Sequence, residues 1–114
     1  MVQSVIHPRI QKATHAFKRK LAQHFDVSQA ILFGSTARHT ANEESDADVA
    51  VLLNGQVGKF IDTKFAMDDL AYEVLLDTGV RIQPLPIWLT EWQHPERYSN
   101  PGLLLNIQKD GVVL

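Results

Sequence analysis

The stretch Gln29–Leu53 reads QAILFGSTARHTANEESDADVAVLL, two short apolar runs with a long polar segment between them. Gln29–Phe33 (QAILF) stops at Gly34, and Asp48–Leu53 (DVAVLL) is closed by Asn54-Gly55. Runs of this length bounded by turn residues predict buried strands. Ser35–Ala47 is too hydrophilic to be core. Gly34-Ser35 therefore sits where one strand ends, and Asp46-Ala47-Asp48 where the next begins.

Outward from this pair the periodicity changes. Ile10, Ala13, Phe17, Leu21 and Phe25 recur every three or four residues, predicting an amphipathic helix over about Pro8–Phe25 with Pro8 in its first turn. Lys59–Asp77 carries Ile61, Phe65, Met67, Leu70, Ala71, Val74 and Leu75 at helical spacing, with Gly79 as a left-handed C-cap. Val80–Trp88 (VRIQPLPIW) predicts a third strand, and Pro84 and Pro86 limit its pairing, so it is an edge strand or leaves the sheet early. A short helix follows over Pro101–Lys109, with Leu103, Leu104 and Ile107 facing inward. Helix, strand, strand, helix, strand, helix makes a small α/β (α+β) domain whose helices cover a sheet.

The segment from Gly34 to Val51 carries the chemistry. A glycine at a strand end lets backbone N–H groups approach a bulky anion, and Ser35 adds a hydroxyl donor, an arrangement suited to phosphate. Arg38, a turn further on, could add positive charge. Residues i and i+2 of an extended chain point to one face, so Asp46 and Asp48 lean the same way. If the two strands are antiparallel neighbours, that is also the sheet end toward which Gly34-Ser35 points. At a separation of about 5 Å and an effective dielectric of ~20, the two carboxylates repel by about 3 kcal/mol. A divalent cation removes that repulsion, and hard oxygen ligands select magnesium or manganese. A metal-bound triphosphate between the carboxylates and the turn suggests nucleotidyl transfer.

Composition narrows the alternatives. The 114 residues are 45% hydrophobic and 21% charged, which fits one globular domain over residues 1–114 and excludes disorder. No apolar run reaches ~18 residues, so no membrane span or signal peptide is expected. A net charge of −2 speaks against a broad nucleic-acid footprint, and zero cysteines exclude thiolate sites and are compatible with the cytoplasm. His7, His15, His24, His39 and His94 lack metal-ligand spacing, and Gly55–Lys59 (GQVGK) lacks a P-loop spacer and reads as a turn. Trp88 and Trp92 are expected in the core or covering it, the alternative being an exposed apolar patch that meets a partner.

Gly34-Ser35, ten residues, then Asp46-x-Asp48 resembles the signature of the DNA polymerase beta-like nucleotidyltransferase superfamily. FGSTAR (33–38), SDAD (45–48) and the tail WQHPERYSN (92–100) with NIQKDG (106–111) are similar to its minimal nucleotidyltransferase group, which includes MntA-type antitoxins. The resemblance implies a small mixed β-sheet packed by helices. It implies that Gly34 and Ser35 hold the phosphates of ATP, where Arg38 could add its charge, and that Asp46 and Asp48 are the catalytic metal ligands for Mg2+, one ion or two. It also implies a HEPN-type helical protein partner, a toxin silenced by AMP transfer to a tyrosine. Many relatives place a third carboxylate on the next strand, where this chain offers Arg81 and Gln83; Glu73 or Asp77 could reach in instead. His39 stands where a glycine often follows the arginine. Two other readings stay open: an antitoxin that acts by binding alone, and transfer to a small molecule such as an aminoglycoside.

Overall fold

His7 and Pro8 start the first helix, α1 (Pro8–His24): His7 Nδ1 accepts from the Arg9 N–H at 3.1 Å, and Pro8 occupies the first turn. The structure, a computed structural model, describes residues 6–34 and 46–114. α1 buries Ile10, Ala13, Phe17 and Leu21, the stripe the spacing predicts. Each large apolar side chain buried this way contributes about 1.5–3 kcal/mol. Thr14 lies in the same stripe, and its hydroxyl donates to the Gln11 carbonyl at 3.0 Å.

β1 (Val27–Phe33) and β2 (Ala47–Leu53) are antiparallel neighbours, with Ala30 facing Val51 and Phe33 facing Asp48. α2 (Phe60–Thr78) then carries the chain back. Gly79 ends it at φ 76°, donating its N–H to the Leu75 carbonyl at 2.8 Å. β3 (Ile82–Trp88) runs parallel to β2, with Gln83 beside Asp48. The sheet order is β3-β2-β1-β4, where β4 is Val112–Val113, so β3 is an edge strand, one of the two outcomes its prolines allow. The Ala47 N–H donates to the Arg81 carbonyl at 2.9 Å, so the odd-numbered residues of β3 turn their backbone groups toward β2. Pro84 and Pro86 therefore fall where an N–H would point off the open edge, which blunts that edge against strand addition.

Three elements were not foreseen: α3 (Leu89–Gln93), a 3₁₀ turn at Pro95–Arg97, and β4 (Val112–Val113), which pairs with Ile31 and Leu32. α4 (Pro101–Asp110) is capped by Asn100, whose Oδ1 accepts from the Leu103 N–H at 3.2 Å. Strand alternation gives the sheet two apolar faces. Val49, Val51 and Leu53 face α1 and α2, with Trp88 in the same core. Ala50 and Leu52 face the other way, with Ile87, Leu104 and Ile107, and Trp92 and Tyr98 pack against them half-buried.

One expectation needs correction. Ile61 and Phe65 belong to the apolar series read along α2, yet both are exposed. Met67, Leu70, Ala71 and Val74 make the buried face. At 3.6 residues per turn a single helix cannot turn both sets inward. Among the described residues no helix is long and apolar enough to cross a membrane.

Candidate active site

Asp46 and Asp48 stand at the start of β2, two residues apart, and alternation leans both toward the face that carries α4. They lie beyond the end of its apolar cluster, Asp46 exposed and Asp48 half-buried. Burial holds the Asp48 carboxyl above its ordinary value of 3.8, and the negative charge of Asp46 pushes the same way. The two carboxylates therefore sense each other.

Gly34 closes against this pair. Its φ is +77°, and a Cβ there would lie 2.5 Å from Asp48 Oδ2. Only a residue without a side chain brings the backbone after β1 so near that carboxylate. The antiparallel register explains the meeting, because Phe33, one residue earlier, faces Asp48. Gly34, Asp46 and Asp48 thus share one end of the sheet, as the sequence pattern requires. Ser35 and Arg38, the other expected phosphate contacts, lie outside the described residues.

Asp46 has two partners that the sequence did not reveal. Gln83 Nε2 donates to Asp46 Oδ2 at 3.2 Å, and Arg81 Nε lies 3.9 Å from Asp46 Oδ1. An ion pair this exposed contributes only ~0–1 kcal/mol to stability, so its interest lies in the charge it sets beside the carboxylate. Period-2 alternation along β3, combined with its register beside β2, is the signal that would have found both.

Gln83 stands beside Asp48 on the strand where the resemblance implies a third acid, and neither it nor Arg81 is acidic. Glu73 and Asp77 do not supply that acid, because α2 packs on the opposite face of the sheet and Glu73 pairs with Lys20 at 3.3 Å. Among the described residues no group of three or more His, Cys, Asp or Glu side chains could hold a metal. Two carboxylates on one face, one with its pKa raised by burial and then by the charge of the other, still fit a hard divalent cation by the chemistry of their oxygens. Around the β3 edge lies a cleft of about 240 Å³, with Asp68 and Tyr72 of α2 on one wall and Arg81 and Gln83 on the other.

A Methanocaldococcus jannaschii protein, named as an inferred protein adenylyltransferase, is 37% identical over 71 residues. Those residues make up 60% of this chain and 48% of that protein, so the chain spans about half the length of the curated relative it matches. The crystal structure of an inferred nucleotidyltransferase from Sulfolobus solfataricus has a similar fold, with a TM-score of 0.53 at 17% identity. That likeness covers 98% of this chain and 90% of the other. The sequence profile of the polymerase beta nucleotidyltransferase family matches residues 16–86, from within α1 to within β3 and including Gly34, Asp46, Asp48 and Gln83, and the chain belongs to that family.

Proposed function

We propose that this chain is a Mg2+-dependent nucleotidyltransferase that moves AMP, or another nucleoside monophosphate, from a nucleoside triphosphate to a hydroxyl. The acceptor is a tyrosine of a HEPN-type helical partner, a toxin that the modification silences. The observation that carries the reading is the contact of the Gly34 backbone with the Asp48 carboxylate, on the face shared with Asp46. The name of the M. jannaschii relative supports AMP as the group moved and a protein as its acceptor.

In this reading Asp46 and Asp48 hold Mg2+, while the Gly34 backbone, Ser35 and Arg38 hold the phosphates. When bound, the ion offsets the negative charge that develops on the phosphates during transfer. The acceptor oxygen attacks the α-phosphorus and forms the new P–O bond. The bond from that phosphorus to the bridging oxygen breaks, pyrophosphate leaves, and the hydroxyl proton passes to solvent.

Gln83 favours a second reading, in which the chain binds nucleotide and neutralises its partner by occlusion without turnover. An amide beside Asp48 supplies a hydrogen-bond donor where a third acid would supply charge. Intact-mass measurement of the protein encoded beside this chain, incubated with it and with ATP and Mg2+, separates the two. A gain of one AMP, absent with Asp46→Asn or Asp48→Asn, supports transfer. An unaltered mass in a complex that still forms supports occlusion.

A further inference from the structure

The outer side of α2 carries a second apolar row that the described fold leaves uncovered. Ile61, Phe65, Tyr72 and Leu76 are 64%, 64%, 54% and 70% exposed. At 3.6 residues per turn these positions fall within about 60° of one another, on the side away from Met67 and Val74. From Ile61 to Leu76 the row runs for about 22 Å at 1.5 Å per residue. Four large side chains exposed in line make a patch on the order of a few hundred Å², the size at which such patches mark interaction sites.

Charge identifies the occupant. α2 contains five carboxylates and one lysine, and that lysine, Lys64, is tied to Asp68 at 2.9 Å. Asp62 and Asp69 border the row directly, with Asp77 further along the same flank. No ion pair among the described residues neutralises any of the three. A second copy in antiparallel contact would bring the two acidic flanks together. In parallel contact each flank would meet the side of Lys64, already paired. Like charge set against like charge is the usual device for rejecting a partner. The complementary partner is basic.

Shape narrows it further. The backbone groups within α2 are bonded along the helix and leave no edge for strand addition, so only side chains can mesh with the row. A row one side chain wide is the ridge that a second helix takes into its groove. We propose that the outer face of α2 docks a basic amphipathic helix of a partner protein. Its apolar residues pack between Phe65, Tyr72 and Leu76, and its Lys or Arg side chains pair with Asp62, Asp69 and Asp77. Tyr72 also lines the cleft whose far wall is Arg81 and Gln83, the two residues that meet Asp46.

The test uses two labelled helical peptides of about 18 residues with the same leucine row, one flanked by lysine and one by glutamate. Fluorescence anisotropy reads their binding to the full chain, to the Phe65→Ser/Leu76→Ser variant and to the Asp62→Asn/Asp69→Asn/Asp77→Asn variant. All the substituted side chains are exposed, and circular dichroism checks that both variants keep the fold. The lysine peptide is expected to bind at least about tenfold tighter than the glutamate peptide, to lose about tenfold with the serine variant, and to lose its salt dependence with the asparagine variant. Equal binding of the two peptides, or wild-type binding by both variants, overturns the proposal. So does sedimentation showing that the wild-type chain self-associates through this row and that the serine variant is monomeric. The readout is binding alone, so its failure leaves the transfer chemistry of Asp46 and Asp48 untouched, and loss of that chemistry leaves docking untouched.

Discussion

Gln83 donates its side-chain amide hydrogen to Asp46 Oδ2 at 3.2 Å while its backbone stands beside Asp48 in the parallel β2–β3 pair. One residue of an edge strand thus touches both halves of the carboxylate pair, one by its side chain and one by register. An amide here leaves the site with two negative charges, and the Arg81 guanidinium near Asp46 lowers the effective charge further.

Gln83→Glu converts that donor into a third carboxylate. In metal-free buffer the added like charge is expected to lower the melting temperature by a few degrees. With Mg2+ in excess the stabilisation is expected to exceed that of the wild type, since a ligand that binds only the folded state stabilises it by an amount that grows with the logarithm of its affinity. Thermal melts across a Mg2+ titration check this. An identical metal-dependent shift in both proteins contradicts it.

Gly34→Ala places a methyl group 2.5 Å from Asp48 Oδ2 at a backbone φ of +77°. Steric conflict and left-handed strain together are expected to cost about 1–3 kcal/mol in urea unfolding. In an Asp48→Ala background the steric part disappears and the φ strain remains. The two substitutions should then couple by at least about 0.5 kcal/mol, whereas simple additivity would mean that the glycine and the carboxylate are not in contact.

Much of this arrangement was legible because short apolar strands and a two-residue carboxylate spacing depend only on alternation. The meeting of Gly34 with Asp48 follows from pairing QAILF against DVAVLL. The contact of Gln83 with Asp46 was not legible, because it requires knowing that β3 runs parallel to β2 and in which register. β4 is two residues long and has no periodicity of its own. The opening of α3 is marked only by Glu91, whose carboxylate accepts from the Trp88 N–H at 3.0 Å, half of a capping box. Along α2 the two apolar rows look alike in sequence. What separates them is which one the sheet covers.

That separation has a measurable consequence within α2. Met67 is fully buried, and Met67→Ala is expected to cost about 2–5 kcal/mol. Phe65 carries more apolar surface but lies outside the core, and Phe65→Ala should change stability by no more than about 0.5 kcal/mol. Urea denaturation of the two variants would contradict the assigned faces if the order were reversed.

The carboxylate pair also predicts a pH dependence. Burial and the charge of Asp46 raise the folded pKa of Asp48 above its ordinary value of 3.8. A group raised on folding contributes stability below its unfolded pKa and loses it as pH climbs through the folded value. In metal-free buffer Asp48→Asn should therefore melt a few degrees above the wild type at pH 7, and the gap should close toward pH 3. A gap that is constant across this range would show that the Asp48 charge is not under strain.

In the proposed function Asp46 and Asp48, beside the Gly34 turn, hold a cation-loaded triphosphate. Calorimetric titration of ATP in excess Mg2+ into the wild type, Asp46→Asn and Asp48→Asn tests this most directly. The wild type is expected to bind saturably, to lose that binding when EDTA replaces Mg2+, and to bind at least about a hundredfold more tightly than each folded variant. Undiminished, metal-independent binding by both variants would contradict it.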